Sequence, residues 1–326
     1  MVRVAIIAMG GTIAMTPTAA GGVVPELNAD DLIAAVPGLA ELDLEITART
    51  LRSLPSPSIG FADLVDLAAA VRAELDAGAV GVVVTHGTDT IEETALFLDL
   101  TVPGDAPVVL TGAMRAPASA GADGPANLYA AVRVAIAPQA RGLGALVVMS
   151  DEVHGARFVR KTHTSSTAAF VSAQFGPLGF MVEGEPRFRP TPRVPLTLPA
   201  TPAVARLRVG LVTIALGDDG ELLRRAYPAC DGLVLGGLGA GHVPATMVDL
   251  VSEVAAEMPV VLASRTGSGS VLRNTYAYPG SERDLLRRGL IHAGFLDPAK
   301  ARVLLQLLLA AGTDRDGISA AFALYG

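Results

Sequence analysis

Tryptophan is absent from this 326-residue chain, cysteine occurs once, and aromatic residues make up only 4% of it. A single cysteine, Cys230, excludes an intrachain disulfide. Its neighbourhood, Cys-Asp-Gly-Leu-Val-Leu, reads as a core position rather than a nucleophile. Lysine is nearly missing: Lys161 and Lys300 are the only two, and Arg carries the other positive charges. With a net charge of −7 and no basic cluster, the chain is not built to neutralise phosphates, which argues against nucleic acid as its main partner. Long apolar runs are missing too. The opening MVRVAIIAMGG is too short for a signal sequence and leads into a glycine turn, as a first strand would. The late run Val303–Ala311 falls well short of the roughly 20 residues a membrane span needs. The expectation is a cytoplasmic protein with no membrane partner.

What the chain has in abundance is small and aliphatic residues, with 35 glycines and 51% apolar content. That suits buried parallel strands alternating with Ala/Leu-rich helices. Short apolar runs end in Gly or Thr and then enter helical patterns. Val2–Ala8, Val80–Val84, Val108–Leu110 and Leu143–Met149 read as strands, and Phe61–Ala77, Ile91–Leu98 and Ala126–Ala137 as helices. The stretch Pro186–Pro202, dense in Pro, Arg and Thr, has neither period and reads as a boundary. Beyond it, strands at Val209–Ile214, Gly232–Leu235 and Pro259–Ala263 alternate with helices near Ala245–Glu257, Glu282–Arg288 and Pro298–Ala311. The fold class is therefore α/β: a parallel-sheet amino-terminal domain (1–188), a linker (189–206) and a smaller α/β carboxy-terminal domain (207–326). The Gly-rich segment Pro17–Pro25 follows a strand end and reads equally as a lid or an ordinary surface loop.

Ligands of open α/β sheets bind beyond the carboxyl ends of the strands. Two Thr-rich turns fall there, Gly10-Gly11-Thr12 and Thr85-His86-Gly87-Thr88-Asp89-Thr90. Glycine lets backbone approach a ligand and leaves N–H groups for an oxyanion. A Thr hydroxyl becomes a nucleophile when a neighbour takes its proton, and Asp89 offers a carboxylate to a substrate ammonium. Thr and Asp also cap helices, so either turn alone has a purely structural reading. Lys161, in Arg160-Lys161-Thr162-His163-Thr164, could act as a base if its ammonium loses its proton, or sit as a solvated charge. Glu92 and Glu93 fall where acidic residues complement a helix dipole. No GxxxxGK[ST] occurs, the glycine runs lack dinucleotide spacing, and His86, His154, His163, His242 and His292 make no HExxH pair, so neither cofactor nor metal is expected.

Taken together, GGTIA at Gly10–Ala14, VVTHGTDTIEETA at Val83–Ala95, GAMR and ADGPANLYAAV within Gly112–Val132, KTHTS at Lys161–Ser165, FGPLGF at Phe175–Phe180 and LDPAKARVLLQLLL near the end resemble bacterial-type L-asparaginases. The likeness spans both domains. It implies a homodimer or homotetramer with sites between subunits, Thr12 as nucleophile, Thr88 and Lys161 as a proton relay, and Asp89 on the substrate amino group. Ser56 falls where the family holds the α-carboxylate, and Gly11 and Thr88 supply main-chain N–H donors to the oxyanion.

The chain departs from the family pattern in three places. The lid has no Tyr, its counterpart being about Gly22. The residue after Ser56 is Pro57 rather than Gln. The positions by which a neighbouring subunit contacts the ammonium are Ala240 and Tyr276 rather than Asn or Ser and Glu. Tyr276 is expected either to reach the neighbour's pocket or to pack at an interface. The expected activity is hydrolysis of L-asparagine to L-aspartate and ammonia. The alternatives are an amidohydrolase acting on glutamine, a D-amino-acid amide or a dipeptide, and a non-catalytic amino-acid-binding homologue. Relatives that deamidate glutamyl-tRNA carry an additional amino-terminal domain, whereas here the catalytic strand comes first.

Overall fold

In a computed structural model of the chain, residues 1–18, 21–189 and 196–326 are described. Residues 190–195 of the expected linker, and Ala19 and Ala20 of the expected lid, lie outside them. The chain forms two compact units, Met1–Thr197 and Leu198–Gly326.

In the first unit the strands are β1 (Val2–Gly10), β2 (Met15–Pro17), β3 (Val23–Pro25), β4 (Leu44–Leu54), β5 (Gly81–Thr85), β6 (Val108–Thr111), β7 (Ala145–Met149), β8 (Glu152–Gly155), β9 (Arg160–Lys161), β10 (Phe170–Val171), β11 (Gly179–Val182) and β12 (Glu185–Phe188). Eight of them make one sheet in the order β12-β11-β8-β7-β6-β5-β1-β4. The part from β4 to β7 is parallel, as the buried apolar runs indicated. Beyond β7 the sheet turns antiparallel through β8, β11 and β12, which makes it mixed rather than wholly parallel. The helices are α1 (Ala29–Ala34), α2 (Phe61–Asp76), α3 (Ile91–Thr101) and α4 (Gly124–Ile136).

The periodicities explain the packing. Every residue of β5 is buried, because helices cover both faces of the sheet. Val83 joins Ile6, Val109 and Leu146 in a core with Leu128, Val132 and Val134 of α4. Val82 and Val84 alternate to the opposite face. In α2 the buried Leu64, Leu67, Ala68 and Val71 follow a helical stripe. Each such Val or Leu, fully buried, contributes about 1.5–3 kcal/mol.

The second unit carries β13 (Val209–Thr213), β14 (Gly232–Gly237), β15 (Val260–Ser264) and β16 (Ile291–His292), in that order and all parallel. Its helices are α5 (Glu221–Ala226), α6 (Val248–Glu257), α7 (Glu282–Arg287), α8 (Pro298–Ala310) and α9 (Arg315–Ala323). Cys230, two residues before β14, is only half-buried, its thiol donating to the Ala226 carbonyl, so it is not the enclosed core residue its neighbours implied.

Candidate active site

The strand order sets the site. β1 lies between β4 and β5, so the chain after β1 goes to one side and returns to the other. That reversal opens a crevice at the carboxyl ends of the strands. Gly11 and Thr12 leave β1, Ser56 follows β4, Thr88 and Asp89 follow β5, and Met114 follows β6. Lys161 comes from β9, which pairs with β10. Thr12, Ser56, Thr88, Asp89 and Lys161, five residues from four separate segments, line one cavity of about 190 Å³ with Gly11, Gly87, Met15, Pro55, Pro57, Met114 and Thr164.

Two glycines bring the turns into contact. Gly11 has φ +85°, and a Cβ there would lie 2.4 Å from the Gly87 Cα. A Cβ on Gly87 would in turn lie 2.6 Å from the Ser56 hydroxyl oxygen. No side chain fits at either position, so the Gly11–Thr12 turn, the THGT turn and the Ser56 turn stack backbone to backbone. Thr12 then opens a short 3-10 helix, Thr12–Ala14.

Hydrogen bonds fix the rest. Lys161 Nζ donates to Thr88 Oγ1 at 2.9 Å and to the Asp89 carboxylate at 2.5 Å. Thr88 is buried, the Lys161 side chain is mostly covered, and the Asp89 carboxylate is 57% exposed. The Ser56 hydroxyl accepts the Asp89 N–H at 3.2 Å, and the Ser56 carbonyl accepts the Thr90 hydroxyl. Thr90 occupies the N-cap position of α3 yet makes no cap hydrogen bond, so the capping alternative for this turn does not hold there. Gly11 N–H is taken by the Leu54 carbonyl, which removes it as an oxyanion donor in this conformation.

His86 is fully buried behind the turn. Its Nδ1 lies 2.8 Å from the Gly87 carbonyl, which can only accept, so Nδ1 carries the proton and Nε2 accepts from the Thr94 hydroxyl. Burial pushes its pKa down to about 4, the Gly87 bond offsetting part of that. A neutral imidazole with both nitrogens engaged is a brace for the turn rather than a proton carrier. Glu92 does more than complement the α3 dipole: its carboxylate accepts the Lys161 backbone N–H. Sequence reading missed this link, because the partners are far apart in the chain. Beside the cavity lies an open depression of about 400 Å³ lined by Asp89, Glu92, Lys161, Thr162, His163 and Thr164.

The two described ends of the segment read as a lid pair as β2 against β3, and Met15, at the start of β2, reaches the cavity. Tyr276 and Ala240 belong to the second unit. There the Tyr276 ring is 42% exposed and stands edge-on to His242 at 5.0 Å. Its backbone N–H donates to Glu282. Burial raises the Glu282 pKa, but backbone N–H groups and His242 outweigh this and hold it below the usual carboxylate range.

Comparison with known proteins places this geometry. Residues 3–193 match the family model of the asparaginase N-terminal domain, and residues 208–322 that of the glutaminase/asparaginase C-terminal domain. A probable L-asparaginase of Deinococcus radiodurans is 40% identical over 98% of this chain and 97% of its own. L-asparaginase 2 of Escherichia coli K12 is 35% identical over 99% and 93%. A solved structure of a probable cytoplasmic L-asparaginase from Campylobacter jejuni superposes with a TM-score of 0.87 at 33% identity, covering 99% of both chains. Carrying both domain models in order and matching these relatives almost end to end, the chain belongs to the asparaginase family.

Proposed function

We propose that the protein hydrolyses L-asparagine to L-aspartate and ammonia, with Thr12 as the nucleophile. The observation that carries this reading is the Lys161–Thr88–Asp89 cluster in the same cavity as Thr12. Thr12 Oγ1 bonds to the side-chain amide carbon as its proton passes through Thr88 to Lys161. The C–N bond then breaks, and the departing nitrogen takes that proton and leaves as ammonia. Water, deprotonated by the same relay, attacks the ester, and the Thr12 oxygen leaves with its proton restored. Main-chain N–H groups at Thr12 and Thr88 hold the oxyanion. Asp89 receives the substrate ammonium. The Ser56 hydroxyl, used as an acceptor by Asp89 N–H, keeps its own proton to donate to the α-carboxylate. Gly11 serves by letting the turns meet. Tyr276 of a neighbouring copy is assigned to the amino-acid end of the substrate, which its exposure in the second unit permits. A dimer or tetramer is therefore the working assembly.

No described helix is long and apolar enough to cross a membrane, and the cytoplasm is the proposed location. The test is ammonia release from L-Asn, D-Asn, L-Gln and simple β-amides. L-Asn should give the highest kcat/KM, and Thr12→Ala should abolish release without altering the circular dichroism spectrum. Release by Thr12→Ala near the parent rate would remove Thr12 from the mechanism. A better rate on another amide would reassign the substrate.

A further inference from the structure

A base has to hold a lone pair, yet the structure shows Lys161 in the arrangement of an ammonium. Its nitrogen donates both to Thr88 Oγ1 and to the Asp89 carboxylate. Among the described residues lining the cavity, Lys161 is the one cation and Asp89 the one anion. The outer depression adds Glu92, another carboxylate, and His163, whose Nδ1 accepts the N–H groups of Ser165 and Ser166. Arg160 precedes Lys161 on the strand and does not line the cavity or the depression. A nitrogen that donates to both Thr88 and Asp89 offers no lone pair to the Thr88 proton in this arrangement. Among the described residues, no second lysine or arginine lines the cavity or the depression, so the cation that would reverse this comes with the substrate.

The exposures rank the three groups: Thr88 innermost, Lys161 next, and Asp89 outermost, shared by the cavity and the depression. An arriving cation meets Asp89 first. We propose that the ammonium of an amino-acid amide takes the Asp89 carboxylate from Lys161 and thereby drives the Lys161 proton into solvent, so that the base is armed only when the substrate carries a free amino group. The inference rests on the reading of Lys161 as the base.

The substrate brings one ammonium to Asp89 and one α-carboxylate to Ser56, and one proton passes from Lys161 to solvent. The hydrogen bond between Lys161 and Thr88 reverses, the Thr88 hydroxyl now donating to the Nζ lone pair. The movement needed is small. The Lys161 backbone is fixed by pairing with Phe170 and by its N–H bond to Glu92, so only the side-chain tip gives up a partner. The substrate class follows: amides with a free α-ammonium, with selection expressed in turnover as well as in binding.

Two measurements test this. Isothermal titration of Thr12→Ala with L-Asn at pH 7, repeated in buffers of different ionisation enthalpy, counts protons. The expected count is about one released per site, falling to about zero in the Thr12→Ala, Asp89→Asn double variant. If Thr12→Ala does not fold, Thr12→Val, which keeps the branched side chain without the hydroxyl, takes its place in the same titration. Zero protons released with the parent carboxylate in place overturns the proposal. The second measurement is the pH dependence of kcat between pH 6 and 8 on L-Asn and on succinamic acid, which is asparagine without its amino group. The kcat on L-Asn should stay flat, while that on succinamic acid should be absent or should climb about tenfold per pH unit. Parallel profiles, with only KM raised for succinamic acid, would overturn it as well. An L-Asn that is not hydrolysed at all would instead refute the proposed function.

Discussion

Acidification asks His86 to take a proton in a place that cannot hold it. The imidazole is buried, its Nδ1–H is committed to the Gly87 carbonyl, and its Nε2 is the acceptor for Thr94. Protonation would charge a desolvated ring and turn that acceptor into a second donor. The folded-state pKa is pushed down to about 4 from the ordinary 6.5. Above pH 6.5 neither the folded nor the unfolded chain is protonated at this residue, and nothing is lost. Between pH 6.5 and 4 the unfolded chain binds the proton first, so stability falls as pH falls. Below pH 4 the loss is complete, at about 3 kcal/mol. His86→Gln keeps an N–H for Gly87 and an oxygen for Thr94 but does not titrate. Urea unfolding followed by circular dichroism at pH 7, 6, 5 and 4 should show the parent losing about 3 kcal/mol that the variant does not. Carboxylates held low, such as Asp63 and Glu282, affect both proteins alike and cancel in the comparison. Parallel stability curves would refute the burial argument, and so would an imidazole NMR titration with its midpoint near 6.5.

Two further substitutions probe the frame of the site. Gly11→Ala puts a Cβ into the Gly87 backbone at a left-handed φ, which should cost about 1–3 kcal/mol in urea unfolding and remove activity with it; near-normal stability would show that the two turns do not need their close contact. Glu92→Ala should lower kcat about tenfold through a loosened Lys161, with little change in KM, and Glu92→Gln, which retains an acceptor, should restore most of it; a loss of melting temperature with kcat intact would make Glu92 purely structural.

The parts of the fold that could be read from sequence are those buried on all sides. β5 and β7 are continuous apolar runs, and they end where the structure ends them to within a residue or two at most boundaries. β4 escaped notice because it is the sheet's edge: Glu45, Arg49 and Arg52 interrupt its apolar residues, and its outer positions face solvent. β8 and β12 escaped for a similar reason, with Glu in the first and Glu, Pro and Arg in the second, and β11, though apolar, is only four residues long. At the site, Thr12, Thr88, Asp89 and Lys161 stood out because residue type and turn position coincide with motif. What could not be read was how they are held. Ser56 braces Asp89 and Thr90 across 33 and 34 residues, and Glu92 reaches Lys161 across 69. No local spacing rule encodes bonds of that range.

The distribution of donors in the cavity bears on which end of the substrate is recognised. Where the family pattern places Gln after Ser56, this chain has Pro57, and Pro55 and Pro57 both line the cavity without a side-chain donor. Ser56 is left with one hydroxyl proton for the carboxylate end, its oxygen already accepting from Asp89 N–H. The amino end is served by a full carboxylate, more exposed than any other part of the cluster and bonded to Lys161. The Ser56 hydroxyl bond to a carboxylate involves one charged group and is worth about 1.5–3 kcal/mol, whereas an ammonium on Asp89 meets an opposite charge as well as a hydrogen-bond acceptor. Under the proposed roles of Asp89 and Ser56, the balance of recognition lies with the ammonium rather than the carboxylate. The proline that weakens one end of the pocket and the Asp89–Lys161 pair that dominates the other act in the same direction, leaving the free amino group as the feature that selects a substrate.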